Sequence, residues 1–183
     1  PAAALARACV QYPVHDPGLF PWRGIEQDDT STKPRFAGAP DADFSISHSG
    51  AIVLVAVAEG AAVGADIERA PFTAFDSRAL QRRMCTPEEL HTASSMERVE
   101  RRLFLAALWT AKEAAAKTRG EGLARDFRSF GLDVRSTPGG CSATAHLAVG
   151  DGDDIVVTGL ALAGAAVFPS DTTAHLRPVP IPA

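Results

Sequence analysis

The longest uninterrupted pattern in this chain is helical, running from Met96 to Thr118. Phe104, Ala107, Leu108, Ala111 and Ala115 recur at the spacing that places them on one stripe, and Gly120 and Gly122 follow as a stop. A stripe of that length has to be buried, so this helix organises the core around it. The segment 76–84 has Leu80 and Met84 at helical spacing. Thr86-Pro87-Glu88-Glu89 then offers an N-cap, a proline at the first helical position and a capping-box glutamate. A third, alanine-rich helix is expected at 2–10. Strand signals surround these helices. The apolar run at 51–58 predicts a fully buried strand, Glu59-Gly60 a turn, and AVGADIE (62–68) a second strand returning as its hairpin partner. FGLDV (130–134), CSATAHL (141–147) and IVVTGLAL (155–162) read as further strands, with STPGG and GDGDD as turns. Prolines make 11–43 mostly loop and the tail from Phe168 irregular.

Composition narrows the classes available. At 183 residues, 46% hydrophobic and 22% charged, the chain makes one domain or two small, tightly packed halves. A net charge of −4 gives no footprint for nucleic acid. Cys9, Cys85 and Cys141 are far apart and odd in number, which suits a reducing, cytoplasmic setting better than a disulfide framework. The apolar run at 51–58 is too short to span a membrane, and no signal peptide is visible.

The polar residues that carry chemistry fall in three short stretches. Asp66 and Glu68 are two apart on an expected strand, so they leave the same face. Such a pair is either the solvent side of an edge strand or half of a Mg²⁺ site, since Mg²⁺ takes a few carboxylates and fills its octahedron with water and phosphate oxygens. Glu113 lies opposite the core stripe, on the helical face that also holds Trp109, Lys117 and Arg102. Taken alone it is half of a solvated Glu–Lys pair worth about 0.2–0.5 kcal/mol, but the large Trp109 suggests that this side is covered as well. His48 stands between Ser47 and Ser49. Neighbours on an extended segment point to opposite faces, so Ser47 and His48 are not a nucleophile–base pair. There is no G-x-S-x-G elbow either. His15, His91, His146 and His175 have no ligand spacing, and Asp151-Gly152-Asp153-Asp154 lacks the remainder of a calcium loop.

In order, Lys33-Pro34, FSISHS, GADIE and WTAKEAAAK followed by GEGL resemble the 4′-phosphopantetheinyl transferases of the surfactin-synthetase-activating type, within the holo-acyl-carrier-protein synthase superfamily. The resemblance covers roughly 33–134. It implies an α+β fold of two similar halves packed as a pseudo-dimer, with the active site in the cleft between them. The divisions would be 1–62 (a half lacking its first strand), 63–168 (the half with the metal motifs) and an irregular tail, 169–183. It implies transfer of 4′-phosphopantetheine from coenzyme A to a serine of an apo acyl or peptidyl carrier protein, releasing 3′,5′-ADP. By this resemblance Asp66, Glu68 and Glu113 surround Mg²⁺ and the pyrophosphate, and Glu113 is the candidate to accept the serine proton, directly or through water. Lys117 and Lys112 place phosphate charge, Ser47 and His48 contact coenzyme A phosphates, and Lys33 approaches the 3′-phosphate. A monomer is expected, with neither nucleic acid nor membrane as a partner. Two features depart from the family: Thr32 replaces a usual glycine, and the chain begins at what matches the second family element, where Arg7 is the only cation. A Mg²⁺-dependent hydrolase of a pyrophosphate substrate, or a non-catalytic carrier-binding module, are the competing readings.

Overall fold

The computed structural model describes residues 23–27, 33–118, 120, 126–129 and 131, and the backbone of the strands between 133 and 169. The elements run β1 (Ile25–Glu26), β2 (Arg35–Phe36), β3 (Ala42–Ser49), β4 (Ile52–Glu59), β5 (Gly64–Arg69), α1 (Arg78–Met84), α2 (Pro87–Ser94) and α3 (Arg98–Thr118). Four strands follow: β6 (Asp133–Thr137), β7 (Gly140–Thr144), β8 (Asp153–Val157) and β9 (Leu162–Pro169). The mixture of helix and strand is α+β, as expected. The helix expected at 2–10 and the tail beyond 169 lie outside the described residues.

The helical expectations hold closely. Thr86 Oγ1 accepts the Glu89 N–H at 3.3 Å while Glu89 Oε2 accepts the Thr86 N–H at 2.8 Å, which closes the capping box of α2. α3 starts at Arg98 rather than Met96, and beyond it the Gly120 N–H returns to Lys117 O with φ +68° at the glycine. α3 is buried on more than its stripe: Phe104–Leu108 and Thr110–Ala116 are all inside. Thr110 can sit there because its hydroxyl lies 3.1 Å from both Ala106 O and Ala107 O, carbonyls of the preceding turn. Trp109 is clamped between Phe75 and Phe127, with ring centroids 6.4 and 5.6 Å away. The side of α3 bearing Trp109 is therefore covered, as its size suggested.

Strand pairing departs from expectation. β4 does not pair with β5; it forms an antiparallel hairpin with β3, from Ser49↔Ile52 to Ala42↔Glu59. Gly50, at φ +62°, makes that turn. β5 instead pairs with β9 in the three-stranded order β5-β9-β8, with Asp66 opposite Ala165. The expected single strand at 155–162 is divided between β8 and β9, which are antiparallel. Nor is β4 fully buried: Ile52–Ala58 are all half-exposed.

Most of the buried apolar residues described fall into two clusters. Phe36, Ala42 and Phe44 form one, with Phe36 and Phe44 rings 4.6 Å apart and Ile25, Ile46, Val55 and Val57 packed around them. The other surrounds α3, from Phe72 to Phe127. α3 lies against β5 and β9. The contact is close at Gly64, where a Cβ would stand 1.8 Å from Ala114 O and 2.4 Å from Thr118 Oγ1. Only a residue without a side chain lets the end of α3 settle on β5 here.

Candidate active site

Gly64, Asp66 and Glu68 share one face of β5 by strand alternation. Because Gly64 abuts the last turns of α3, that face receives the side chains of Glu113 and Lys117. Lys117 Nζ donates to Asp66 Oδ1 at 2.6 Å and to Ala65 O at 3.2 Å. Asp66 and Glu113 are buried, and Lys117 and Glu68 are half-exposed. The solvated Glu113–Lys117 pair that periodicity alone allows is not what forms. Lys117 reaches across to β5, and Glu113 is inside.

From the other side β3 meets β5 through side chains. Asp43, Ser45, Ser47 and Ser49 each accept a backbone N–H from β5 or the residue before it. The donors are Val63 at 2.8 Å, Ala65 at 2.9 Å, Ile67 at 3.3 Å and Arg69 at 3.1 Å. Ser47 Oγ also donates to Asp66 Oδ1 at 2.7 Å, and Ser49 Oγ to Glu68 Oε2 at 3.1 Å. Ser47 is thus buried against the carboxylates, while His48, on the opposite face of β3, is exposed. The roles of Ser45 and Ser49 were not read from the sequence. The available signal was the alternation of polar residues 43, 45, 47 and 49, which puts all four on one face.

Crowding dominates the electrostatics. The Glu113 carboxyl is pushed up from the usual carboxylate range, first by burial and then by the charge of Asp66, with Lys117 opposing. Glu68 is pushed up by burial too, opposed by the Ser49 hydrogen bond and reinforced by Asp66. Asp66 has one oxygen, Oδ1, held by Ser47 and Lys117. Its Oδ2 is buried with no hydrogen-bond partner among the described residues. A buried, unpartnered carboxylate oxygen is costly, and a cation removes the cost. Among the described residues no three His, Cys, Asp or Glu side chains are closed into a ready-made ligand cage. The donor set nevertheless fits a hard divalent ion: three carboxylates gathered at one contact, and one buried oxygen left over.

Two lysines stand elsewhere than expected. Lys112, expected to place phosphate charge, is fully buried. Its ammonium donates to Glu89 Oε2 at 2.6 Å and to Met84 O and Phe127 O at 2.8 Å each. A side chain one position before Glu113 leaves the helix about 100° away from it, which carries Lys112 toward α1 and α2 instead of the carboxylates. Lys33 donates to Val63 O at 2.8 Å and pairs with Asp43, at the far end of the β3–β5 junction. Ser47, expected at a coenzyme A phosphate, spends its one proton on Asp66. Arg102 is joined with Arg98 on Asp76 and takes no part in the site.

An α+β framework thus gathers carboxylates and a lysine from one strand and one helix, a donor set of the kind a hard cation takes. Residues 62–150 match the family model of the 4′-phosphopantetheinyl transferase superfamily. A 4′-phosphopantetheinyl transferase of Bacillus subtilis is 29% identical over 103 residues, which is 56% of this chain and 44% of that protein. The 4′-phosphopantetheinyl transferase Sfp of Bacillus subtilis strain 168 is 32% identical over 100 residues, 55% of this chain and 43% of the relative. The matched segments thus span less than half the length of either relative. Residues 62–150 are thus similar to the superfamily that the motifs resemble, and Asp66, Glu68, Glu113 and Lys117 all lie inside that match.

Proposed function

We propose that the chain transfers 4′-phosphopantetheine from coenzyme A to a serine hydroxyl of an apo acyl or peptidyl carrier protein, with release of 3′,5′-ADP. The observation that carries this reading is the meeting of Asp66, Glu68, Glu113 and Lys117 at the β5–α3 contact, with Asp66 Oδ2 buried and unpartnered. The serine oxygen forms a bond to the pantetheine-bearing phosphorus as the bond from that phosphorus to the ADP oxygen breaks. Glu113 takes the serine proton. Its raised proton affinity suits a base, since a carboxylate drawn toward neutrality accepts a proton more readily than an ordinary one. Lys117 fixes Asp66 and brings positive charge to the phosphate side. Asp66, Glu68 and Glu113 would hold Mg²⁺, which supplies neutralisation of phosphate charge when bound. The exposed His48 is the proposed contact to coenzyme A phosphates, and Lys33 reaches them only by exchanging Asp43. The two apolar clusters support a division into halves near residue 62, with one active site per chain and hence a monomer.

The test is to incubate the chain with coenzyme A, Mg²⁺ and an apo carrier protein and to weigh the carrier by intact mass spectrometry. A mass gain of one phosphopantetheine, absent without Mg²⁺, is expected. An unmodified carrier overturns the reading, and coenzyme A cleavage without a carrier turns it into a hydrolase.

A further inference from the structure

The β3–β5 junction is built from four side-chain oxygens, each accepting the N–H of the residue twenty positions further along. Its rungs are not equivalent. Asp43 and Ser45 meet the backbone of Val63 and Ala65, and Lys33 closes that end. At Ser47 and Ser49 the same hydroxyl that accepts an N–H also gives its proton to a carboxylate. The acceptors are Asp66 Oδ1 and Glu68 Oε2, each one residue before the donating N–H. A hydroxyl has one proton and two lone pairs. With the N–H on a lone pair, its proton is directed onto the carboxylate, and only serine or threonine can do both.

This arrangement answers a physical problem. Asp66, Glu68 and Glu113 repel one another and would splay apart if left to themselves. We infer that Ser47 and Ser49 are positioning residues: their hydroxyls tie Asp66 and Glu68 to the β5 backbone, so that Asp66 Oδ2 and Glu68 stay gathered for a divalent cation. Ser47 and Lys117 together occupy Asp66 Oδ1, which leaves Oδ2 as the oxygen presented to the ion. Ser47 acts through Asp66, not on substrate phosphate. The inference rests on the proposed function only in taking the carboxylates as a cation site.

The test is Mn²⁺ binding by the whole chain, read as loss of the free-ion paramagnetic resonance signal, with no coenzyme A or carrier present. Wild type should bind, and Asp66→Asn should abolish binding, which places the ion. Partners that orient metal ligands typically contribute about 10–100-fold to affinity, so Ser47→Ala and Ser49→Ala should each weaken Mn²⁺ about tenfold or more. Ser49→Thr, which keeps the hydroxyl, should restore near-wild-type binding. Ser45→Ala, which removes a rung without a carboxylate, should leave Mn²⁺ affinity unchanged even where it lowers Tm. Equal affinity in Ser49→Ala, an equal loss in Ser45→Ala, or no rescue by threonine would reduce the junction to a stitch between strands. If wild type binds no Mn²⁺ the inference falls, whatever the transferase activity. If it binds Mn²⁺ as described but modifies no carrier, the proposed function falls and the positioning role stands.

Discussion

Replacing Lys112 with methionine separates a structural lysine from a phosphate-binding one. The ammonium is wholly enclosed, and its three protons meet three oxygens: Glu89 Oε2, Met84 O and Phe127 O. Methionine fills much of the same volume but donates nothing. It leaves the buried Glu89 carboxylate without its cation, the Thr86 N–H still donating to Oε2, and takes one donor from each of two carbonyls. Removing one partner of a buried pair costs about 3–5 kcal/mol, most of it the uncompensated charge left behind. For a chain of this size each kcal/mol moves Tm by about 2–4 °C, so the melting temperature should fall by roughly 6–20 °C. The logic is sharpened by the double variant Lys112→Met with Glu89→Gln. Glutamine still closes the capping box but carries no charge, so the double variant should be more stable than Lys112→Met alone. Urea unfolding followed by circular dichroism, with m-values compared to confirm two-state behaviour, reads all three proteins. A loss under about 1 kcal/mol in Lys112→Met, or a double variant weaker than the single one, refutes the buried-ion account. If instead the KM for coenzyme A rose with stability untouched, Lys112 would belong at the phosphates after all.

Three further outcomes follow from the same geometry. Gly64→Ala puts a methyl 1.8 Å from Ala114 O. Overpacking of this kind costs about 1–3 kcal/mol, and the displaced end of α3 should also lose Mn²⁺ affinity; unchanged melting and binding would contradict the close contact. Glu113→Gln should lower carrier modification about 10²–10⁴-fold, the range for a lost general base. It should leave Tm equal or higher without metal, because a crowded charge has been removed; full activity would return Glu113 to a packing role. For Glu68 and Glu113 the folded state holds its protons above the ordinary value of 4.5, so their contribution to stability is lost as pH rises through the raised values. The Tm gain from Mg²⁺ should therefore grow with pH above about 4.5, and a gain that shrinks with pH would show that the ion binds elsewhere.

Much of this arrangement was legible because it is local. The capping box Thr86–Glu89, the span of α3 and the shared face of Asp66 and Glu68 each depend on residues within one turn or one pleat. The partner of β5 was not legible. Adjacent apolar stretches around a glycine turn suggest a hairpin, and Gly60 does turn there, at φ +72°, with its N–H on Asp41 O. The residues that pair with β5 lie nearly a hundred positions later in β9, and no short-range pattern points to them. Lys112 was hidden for a different reason. Periodicity assigns one face of a helix to the core, whereas α3 is enclosed almost all round, so from sequence a lysine off the stripe stays available to place phosphate charge when it is in fact buried.

The long-range pairing and the local patterns combine in the site itself. Asp66 and Glu68 share a face by strand alternation alone, but that face becomes a site only because Gly64 admits the end of α3 and because β3 supplies hydroxyls instead of a backbone edge. A conventional backbone pairing of β3 with β5 would satisfy the N–H groups of Ala65, Ile67 and Arg69 with carbonyls and leave no proton to direct at the carboxylates. Alternate serines do both tasks with one atom each. The repulsion stored among Asp66, Glu68 and Glu113 is thus held by neutral hydroxyls on one side and by the single charge of Lys117 on the other. Neither cancels the negative charge of the three carboxylates, and that residual charge is what a divalent cation would find.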